Sequence, residues 1–252
     1  MLFRSLINEG SSFWQDQAPE RAEEVFRRAE KVLLSTPKES DQTVESVDLA
    51  LGQLYVNWSG MLVTRLHFQE AIERADAGLT RVEAFLQSEP NSGVARETCL
   101  KLHGNRSYAL IGLDRHTESA AEWARIIELA PEPVPPVYRL QFALELLKID
   151  EPARALAQVQ HLKPGPDVSG EDCYNCACVY SLATRAVRDN TRISAEERAR
   201  LEKSHIENAL QWLRSARESG LFKNAAMCDA ANKDPDLAAI ASLDEFRRII
   251  AP

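Results

Sequence analysis

Three cysteines and a tyrosine share one short segment, Cys173-Tyr174-Asn175-Cys176-Ala177-Cys178, and are the residues best suited to chemistry. Cys173 and Cys176 lie near one face if the segment is helical. A zinc site needs four ligands, or three and an open position, and the sequence has no second Cys-x-x-Cys and no His-x-x-x-His. We therefore interpret Cys176 as a packing residue. Cys178 is expected to point toward a groove, and a cysteine-based enzyme remains an alternative.

The other titratable residues show no catalytic pattern. The five histidines lack the spacing of metal ligands, and the paired carboxylates Glu23-Glu24 and Glu196-Glu197 lie among arginines, as on solvated helix faces. There is no phosphate-binding glycine loop, and the Gly-rich, His-Arg-Asp and Asp-Phe-Gly signatures of protein kinases are missing. The sequence predicts a protein that is not an enzyme and that holds no cofactor or metal.

Composition limits the class of protein further. The chain has 252 residues, only ten glycines and a formal net charge of −8. This acidic balance disfavours a nucleic-acid or anionic-membrane binder. No apolar run approaches the roughly 18 residues of a membrane span. The N-terminus lacks a signal peptide, and five cysteines do not form a disulfide framework, so we expect a cytoplasmic protein.

Helical periodicity runs along the whole chain. In the segment Pro19–Leu34, the apolar residues recur at intervals of three and four and keep to one helical face. Proline suits the first turn of such a helix. Similar segments alternate with short polar breaks, and none shows the two-residue alternation of a strand. The sequence predicts an all-α fold.

Four stretches of the chain can be superimposed on one another. Each predicted first helix carries a small residue next to a larger one, and the intervals between these small residues are 48, 36 and 34 positions. Each second helix opens with another small residue. Two helices approach closely only where side chains are small, so these positions predict stacked helical hairpins. The small residues are Ser59, Ser107, Ala143 and Ala177 in the first helices and Ala71, Ser119, Ala155 and Ala209 in the second.

This pattern resembles the tetratricopeptide-repeat (TPR) family, whose period is 34 residues. The resemblance rests on Tyr55–Gly60 followed by Phe68–Ile72, and on Ala109–Pro131. More narrowly, the segments Cys173–Ala183 and Asp234–Phe246 are similar to the C-terminal repeat regions of large bacterial serine/threonine protein kinases. The resemblance covers roughly residues 18–250. It implies a right-handed superhelix of helix-turn-helix hairpins with a C-terminal capping helix.

The predicted organisation is one continuous solenoid domain. Residues 1–41 form a partial or divergent hairpin, residues 42–220 form four hairpins, and residues 221–252 form the cap. The fourth hairpin carries an exposed, charged insertion at about residues 181–200. A capping box at Ser194 should begin the helix that follows, and another at Ser242 should begin a short terminal helix anchored by Phe246.

The resemblance also implies where a partner binds, because the first helix of each hairpin lines the concave side. The expected occupant is a peptide or helix of another protein, not a nucleic acid, membrane or small molecule. Three alternatives stay open. The chain's own N-terminal segment fills the groove, the chain is the regulatory module of a separate or lost bacterial serine/threonine kinase, or it is an enzyme with a cysteine-based site. The predicted groove residues are Gln53, Val56, Gly60, Thr64, Lys101, Gly104, Tyr108, Ile111, Leu140, Leu144, Tyr174 and Cys178.

Overall fold

A computed structural model of the protein describes residues 2–15, 18–36, 41–160, 162–163 and 168–251. All regular secondary structure in these ranges is helical, and they contain no β-strand. The prediction of an all-α protein is therefore confirmed.

The chain divides into two compact units, residues 1–130 and 131–252. The sequence analysis expected one continuous domain, and this stays a prediction. Between the last helix of the first unit and the first helix of the second, prolines occupy positions 131, 133 and 135, and Pro136 is the first residue of the second of these helices. Proline has no backbone N–H to donate, so these residues separate the two helices and suit the first turn of the second.

Unit 1, residues 1–130, consists of three helical hairpins. Its first hairpin is complete, where a partial one was predicted, and Leu6 and Ile7 of its first helix are buried. Residues 1, 16–17 and 37–40 of that predicted segment lie outside the described residues. The helices are α1 (Leu2–Gln15), α2 (Pro19–Leu34), α3 (Asp41–Thr64), α4 (Phe68–Ser88), α5 (Gly93–Gly112) and α6 (His116–Leu129). Helix α3 contacts both α1 and α5, so the hairpins are stacked within this unit.

Unit 2, residues 131–252, contains two hairpins and a terminal helical segment. The hairpins are α7 (Pro136–Lys148) with α8 (Pro152–Val159), and α9 (Gly170–Asp189) with α10 (Ala195–Glu218). The terminal segment contains the 3-10 turns Leu221–Lys223 and Pro235–Leu237 and the helices α11 (Ala225–Lys233) and α12 (Asp244–Ile250).

The same turn joins the two helices of three successive hairpins. After α3, the His67 amide donates to the Leu62 carbonyl at 2.9 Å, and Leu66 has a φ of 61°. This six-to-one bond around a left-handed residue closes a helix C-terminus in the Schellman manner. The intervals between the three turns, 48 and 36 residues, match those of the predicted repeat. The equivalent bonds run from Arg115 to Leu110 and from Glu151 to Leu146, around the left-handed residues Asp114 and Asp150.

The small residues of the repeat lie where helices touch. All eight are fully buried, as expected of positions that let two helices approach closely. In the α5–α6 hairpin the two hydroxyls meet directly, with Ser107 Oγ 2.8 Å from Ser119 Oγ. The packing positions read from the sequence are thus correct in all four stretches.

The predicted insertion at residues 181–200 is largely helical, although most of its charged residues are exposed as expected. Helix α9 continues to Asp189, and Thr184 within it is fully buried. Only residues 190–194 separate α9 from α10, which begins at the predicted Ser194 cap, whose hydroxyl accepts from the Glu197 amide. The extra residues lengthen both helices, and their charges pair across the hairpin: Arg188 Nε donates to Glu202 Oε1 at 2.6 Å.

The terminal segment packs on unit 2 as predicted for a cap. Phe246 is buried, and α12 contacts α10. Arg217 of α10 donates to the carbonyls of Ile249 at 2.5 Å and Ala251 at 2.6 Å, which satisfies groups that the end of α12 leaves open. The predicted capping box at Ser242 is wrong, because α12 is preceded by Leu243 and has no side-chain cap.

Candidate protein-interaction surface

Eight of the predicted groove residues belong to unit 1 and lie on accessible faces of α3 and α5. Their spacing of three or four residues places each set on one side of its helix. All eight are at least partly exposed. They are Gln53, Val56, Gly60 and Thr64 on α3, and Lys101, Gly104, Tyr108 and Ile111 on α5.

Asn105 joins the two helices beneath this surface. Its Nδ2 donates to the Val56 carbonyl at 2.8 Å and to Ser59 Oγ at 2.9 Å. A Cβ added to Gly60 would lie 3.4 Å from the same amide nitrogen. The two predicted sets therefore lie on directly adjacent helices, and the Asn105 amide N–H group is used to hold those helices together.

Tyr108 is the principal exposed aromatic residue of this face. Its side chain is 44% exposed, and its ring stands edge-on to Trp123 with the centroids 5.6 Å apart and the planes at 82°. Trp123 is buried, so the tyrosine ring has a fixed support. One turn earlier, a Cβ added to Gly104 would meet no described atom within 4 Å. The result is an open recess beside a supported aromatic ring.

Lys101 extends this face by one further turn. Its Nζ lies 2.8 Å from Glu97 Oε1, and this contact lowers the pKa of the Glu97 carboxyl. Both side chains are exposed, so the pair is weak and its charges stay available to a partner.

The N-terminal helix covers part of the α3 face. The Trp14 ring lies 3.6 Å from the position that a Gly60 Cβ would take, and Trp14 packs against the core of unit 1. Self-occupancy by the N-terminal segment, one of the sequence alternatives, therefore applies to the Gly60 side. The recess beside Tyr108 stays exposed.

The four predicted groove residues of unit 2 do not form an open groove. Leu140 and Cys178 are buried, so the prediction that these two residues line an open groove is wrong. Tyr174 Oη donates to Asp234 Oδ2 at 2.6 Å, and Cys178 Sγ lies 3.9 Å from the same oxygen. Only Leu144 and Tyr174 keep partial exposure. The terminal segment, which the sequence analysis treated only as an end cap, covers this side of α9.

The three cysteines of the cluster, Cys173, Cys176 and Cys178, are all buried, as the sequence analysis expected for Cys176. Burial raises the pKa of the Cys176 and Cys178 thiols, and Asp234 raises that of Cys178 further. Burial and the bond to Asp234 likewise raise the pKa of Tyr174. A thiolate is therefore disfavoured here, and the expectation that Cys178 points into an open groove is wrong.

Sequence reasoning missed a cleft in unit 2. It has a volume of about 620 Å³ and is lined by the C-terminal parts of α7 and α9 and by the turn after α9. Lys148, Arg185 and Arg192 lie on its walls. Two of these residues belong to the charged stretch that was interpreted as an exposed insertion, and the only sequence signal was the length of that stretch.

The described part of the chain shows neither a metal-binding cluster nor a membrane-spanning helix. It has no group of three or more His, Cys, Asp or Glu side chains arranged to hold a metal ion. None of its helices is both long enough and apolar enough to span a membrane.

Comparisons with known proteins add no relative. No protein-family model matches the chain, and no curated protein matches it either.

Proposed function

We propose that the protein is an interaction scaffold, and that unit 1 binds a peptide or helix of another protein along the exposed face of α3 and α5. The observation that carries this proposal is the exposed Tyr108 ring, supported from below by Trp123 and bordered by the recess at Gly104. Aromatic residues with such support are common anchors in protein interfaces, where a few residues dominate the binding energy. The proposal needs no cofactor and no reaction.

We further propose that the hairpins belong to the tetratricopeptide-repeat fold, with a right-handed superhelical stack within each unit. The recurrence of one turn at Leu66, Asp114 and Asp150 supports this, as do the small residues at each hairpin contact. In that fold the first helices line the binding side, which is where α3 and α5 carry the exposed residues.

Site-specific photocrosslinking tests the binding proposal. A benzoylphenylalanine at position 104 or 108 should crosslink one protein in cells that make this chain. The same group in place of Thr80, an exposed residue of α4, should not crosslink it. Crosslinks of equal yield from all three positions, or none from 104 and 108, would contradict the proposal.

A binding measurement with the crosslinked protein completes the test. Tyr108→Ala should weaken its affinity by roughly thirtyfold, the effect of removing an anchor residue. Leu66→Ala removes another exposed apolar side chain of unit 1 and should leave the affinity unchanged. The identity of the partner decides the regulatory alternative, because a protein kinase domain among the products would favour it.

A further inference from the structure

The cleft in unit 2 exists because α9 is longer than the hairpin beside it. Helix α9 has 20 residues and α7 has 13. The last turns of α9 therefore extend past the turn between α7 and α8. The apolar residues of this overhang line the cleft together with Leu147 and Pro152; they are Leu182 and Ala186.

Three cationic side chains on the walls of this cleft are unpaired. Within the described part of the chain, the side chains of Lys148, Arg185 and Arg192 form neither a hydrogen bond nor an ion pair. Neighbouring arginines behave differently: Arg188 bonds Glu202 at 2.6 Å, and Arg154 bonds Glu151 at 2.5 Å. The cleft thus gathers three cations that form no ion pair with a described residue.

Three carboxylates line the same cleft and are also left without a cationic partner among the described residues. They are Asp150, Asp189 and Asp236. A ligand with negative charge alone, such as phosphate, would meet these carboxylates, and a simple cation would meet the basic side chains. A ligand that bears both charges and an apolar group complements the basic, the acidic and the apolar residues of the lining.

We propose that this cleft binds a short peptide segment of mixed charge. An acidic side chain of the peptide contacts Arg185, Arg192 and Lys148, a basic side chain contacts the aspartates, and an apolar side chain rests on Leu182 and Ala186. The volume of about 620 Å³ suits a few residues and not a whole helix. The site lies in unit 2 and does not depend on the Tyr108 surface, so either proposal can fail without the other.

Nuclear magnetic resonance of the full chain with labelled leucine and alanine methyl groups tests this proposal. The probe is the tripeptide acetyl-Glu-Leu-Lys-amide in low-salt buffer. The control ligands are acetyl-Gln-Leu-Gln-amide and inorganic phosphate. We expect the charged peptide to shift the methyl signals of Leu147, Leu182 and Ala186 saturably, and added salt to weaken it. The uncharged peptide should give much smaller shifts.

Substitutions of single arginines test whether the cationic side chains of the cleft bind the charged peptide. Arg185→Ala and Arg192→Ala should each weaken binding about fivefold, the effect of an exposed charged contact. Arg139→Ala removes an arginine of α7 that does not line the cleft, and it should change nothing. Unchanged spectra away from the cleft verify that each variant is folded.

Three results would overturn the proposal. The first is the absence of saturable shifts at Leu147, Leu182 and Ala186. The second is equal binding of the charged and uncharged peptides. The third is binding of phosphate as tight as that of the charged peptide, which would identify a small-anion site instead.

Discussion

Leu66 offers a sharp test of the repeated turn. Its φ of 61° lies in the left-handed region, which costs a residue with a Cβ roughly 1–2 kcal/mol. Its side chain is 71% exposed, so removing it sacrifices little apolar burial. Glycine adopts this backbone conformation without the steric penalty.

The net effect of Leu66→Gly is the difference of two contributions. The variant relieves the strain, but the freer unfolded chain costs about 0.5–1 kcal/mol. We therefore expect the free energy of unfolding to rise by roughly 0.5–1 kcal/mol. Leu113→Gly is the matched control, because Leu113 lies in the next such turn at a φ of −105° and has no strain to relieve. That variant should lose about 0.5–1 kcal/mol.

Urea unfolding followed by tryptophan fluorescence measures both variants. Three of the four tryptophans, Trp14, Trp58 and Trp123, belong to unit 1, so the signal reports mainly on the unit that contains both substitutions. An equal loss of stability in the two variants would refute the left-handed turn and with it the structural repeat at this position.

Four further predictions concern the rest of the chain. Arg217→Ala should speed hydrogen exchange of the α12 amides several-fold, because three carbonyls lose their donor, whereas Arg200→Ala should not change it. Ala177→Leu should lower the free energy of unfolding by about 1–3 kcal/mol through overpacking, seen as a lower melting temperature. Burial raises the pKa of Cys99 from 9.0 to about 11. The thiol's contribution to stability is full below about pH 9 and is lost as the pH rises toward 11, so Cys99→Ala should make the urea midpoint less sensitive to pH over this range. Limited proteolysis should cut first within Asn190–Ser194, since this exposed turn is the only non-helical part of the predicted insertion, and cleavage inside α9 would contradict its helical assignment.

The parts of the fold that could be predicted from the sequence are those set by local spacing. Ser107 and Ser119 predict a close contact between two helices, because only small side chains permit one. In the structure the two hydroxyl groups are hydrogen-bonded to each other. The spacing of small residues did not predict where the hairpin turn after Tyr180 lies, because α9 continues to Asp189. There the chain continues the helix, and charges such as Arg188 find partners on α10 that only the folded hairpin supplies.

Long-range contacts explain the remaining errors. The sequence does not reveal that Arg106 pairs with Asp76, which lies 2.6 Å from its Nε, and with Glu122. The burial of Cys178 beneath Asp234 likewise depends on a segment 56 residues away. For the candidate surface, helical spacing predicted which residues of α3 and α5 share a face. It did not predict which parts of that face the chain itself covers.

The docking of α12 on α10 also has a consequence for assembly. In a stack of helical hairpins each hairpin packs against its neighbours, so the last hairpin leaves one apolar face uncovered unless another element packs on it. Arg217 and the buried Phe246 hold α12 against α10, so this face of α10 is covered. Shortening the chain after Asn232 would remove α12 and expose the face of α10 on which it packs. We expect the truncated protein to self-associate through the face thus exposed, to an extent that rises with protein concentration.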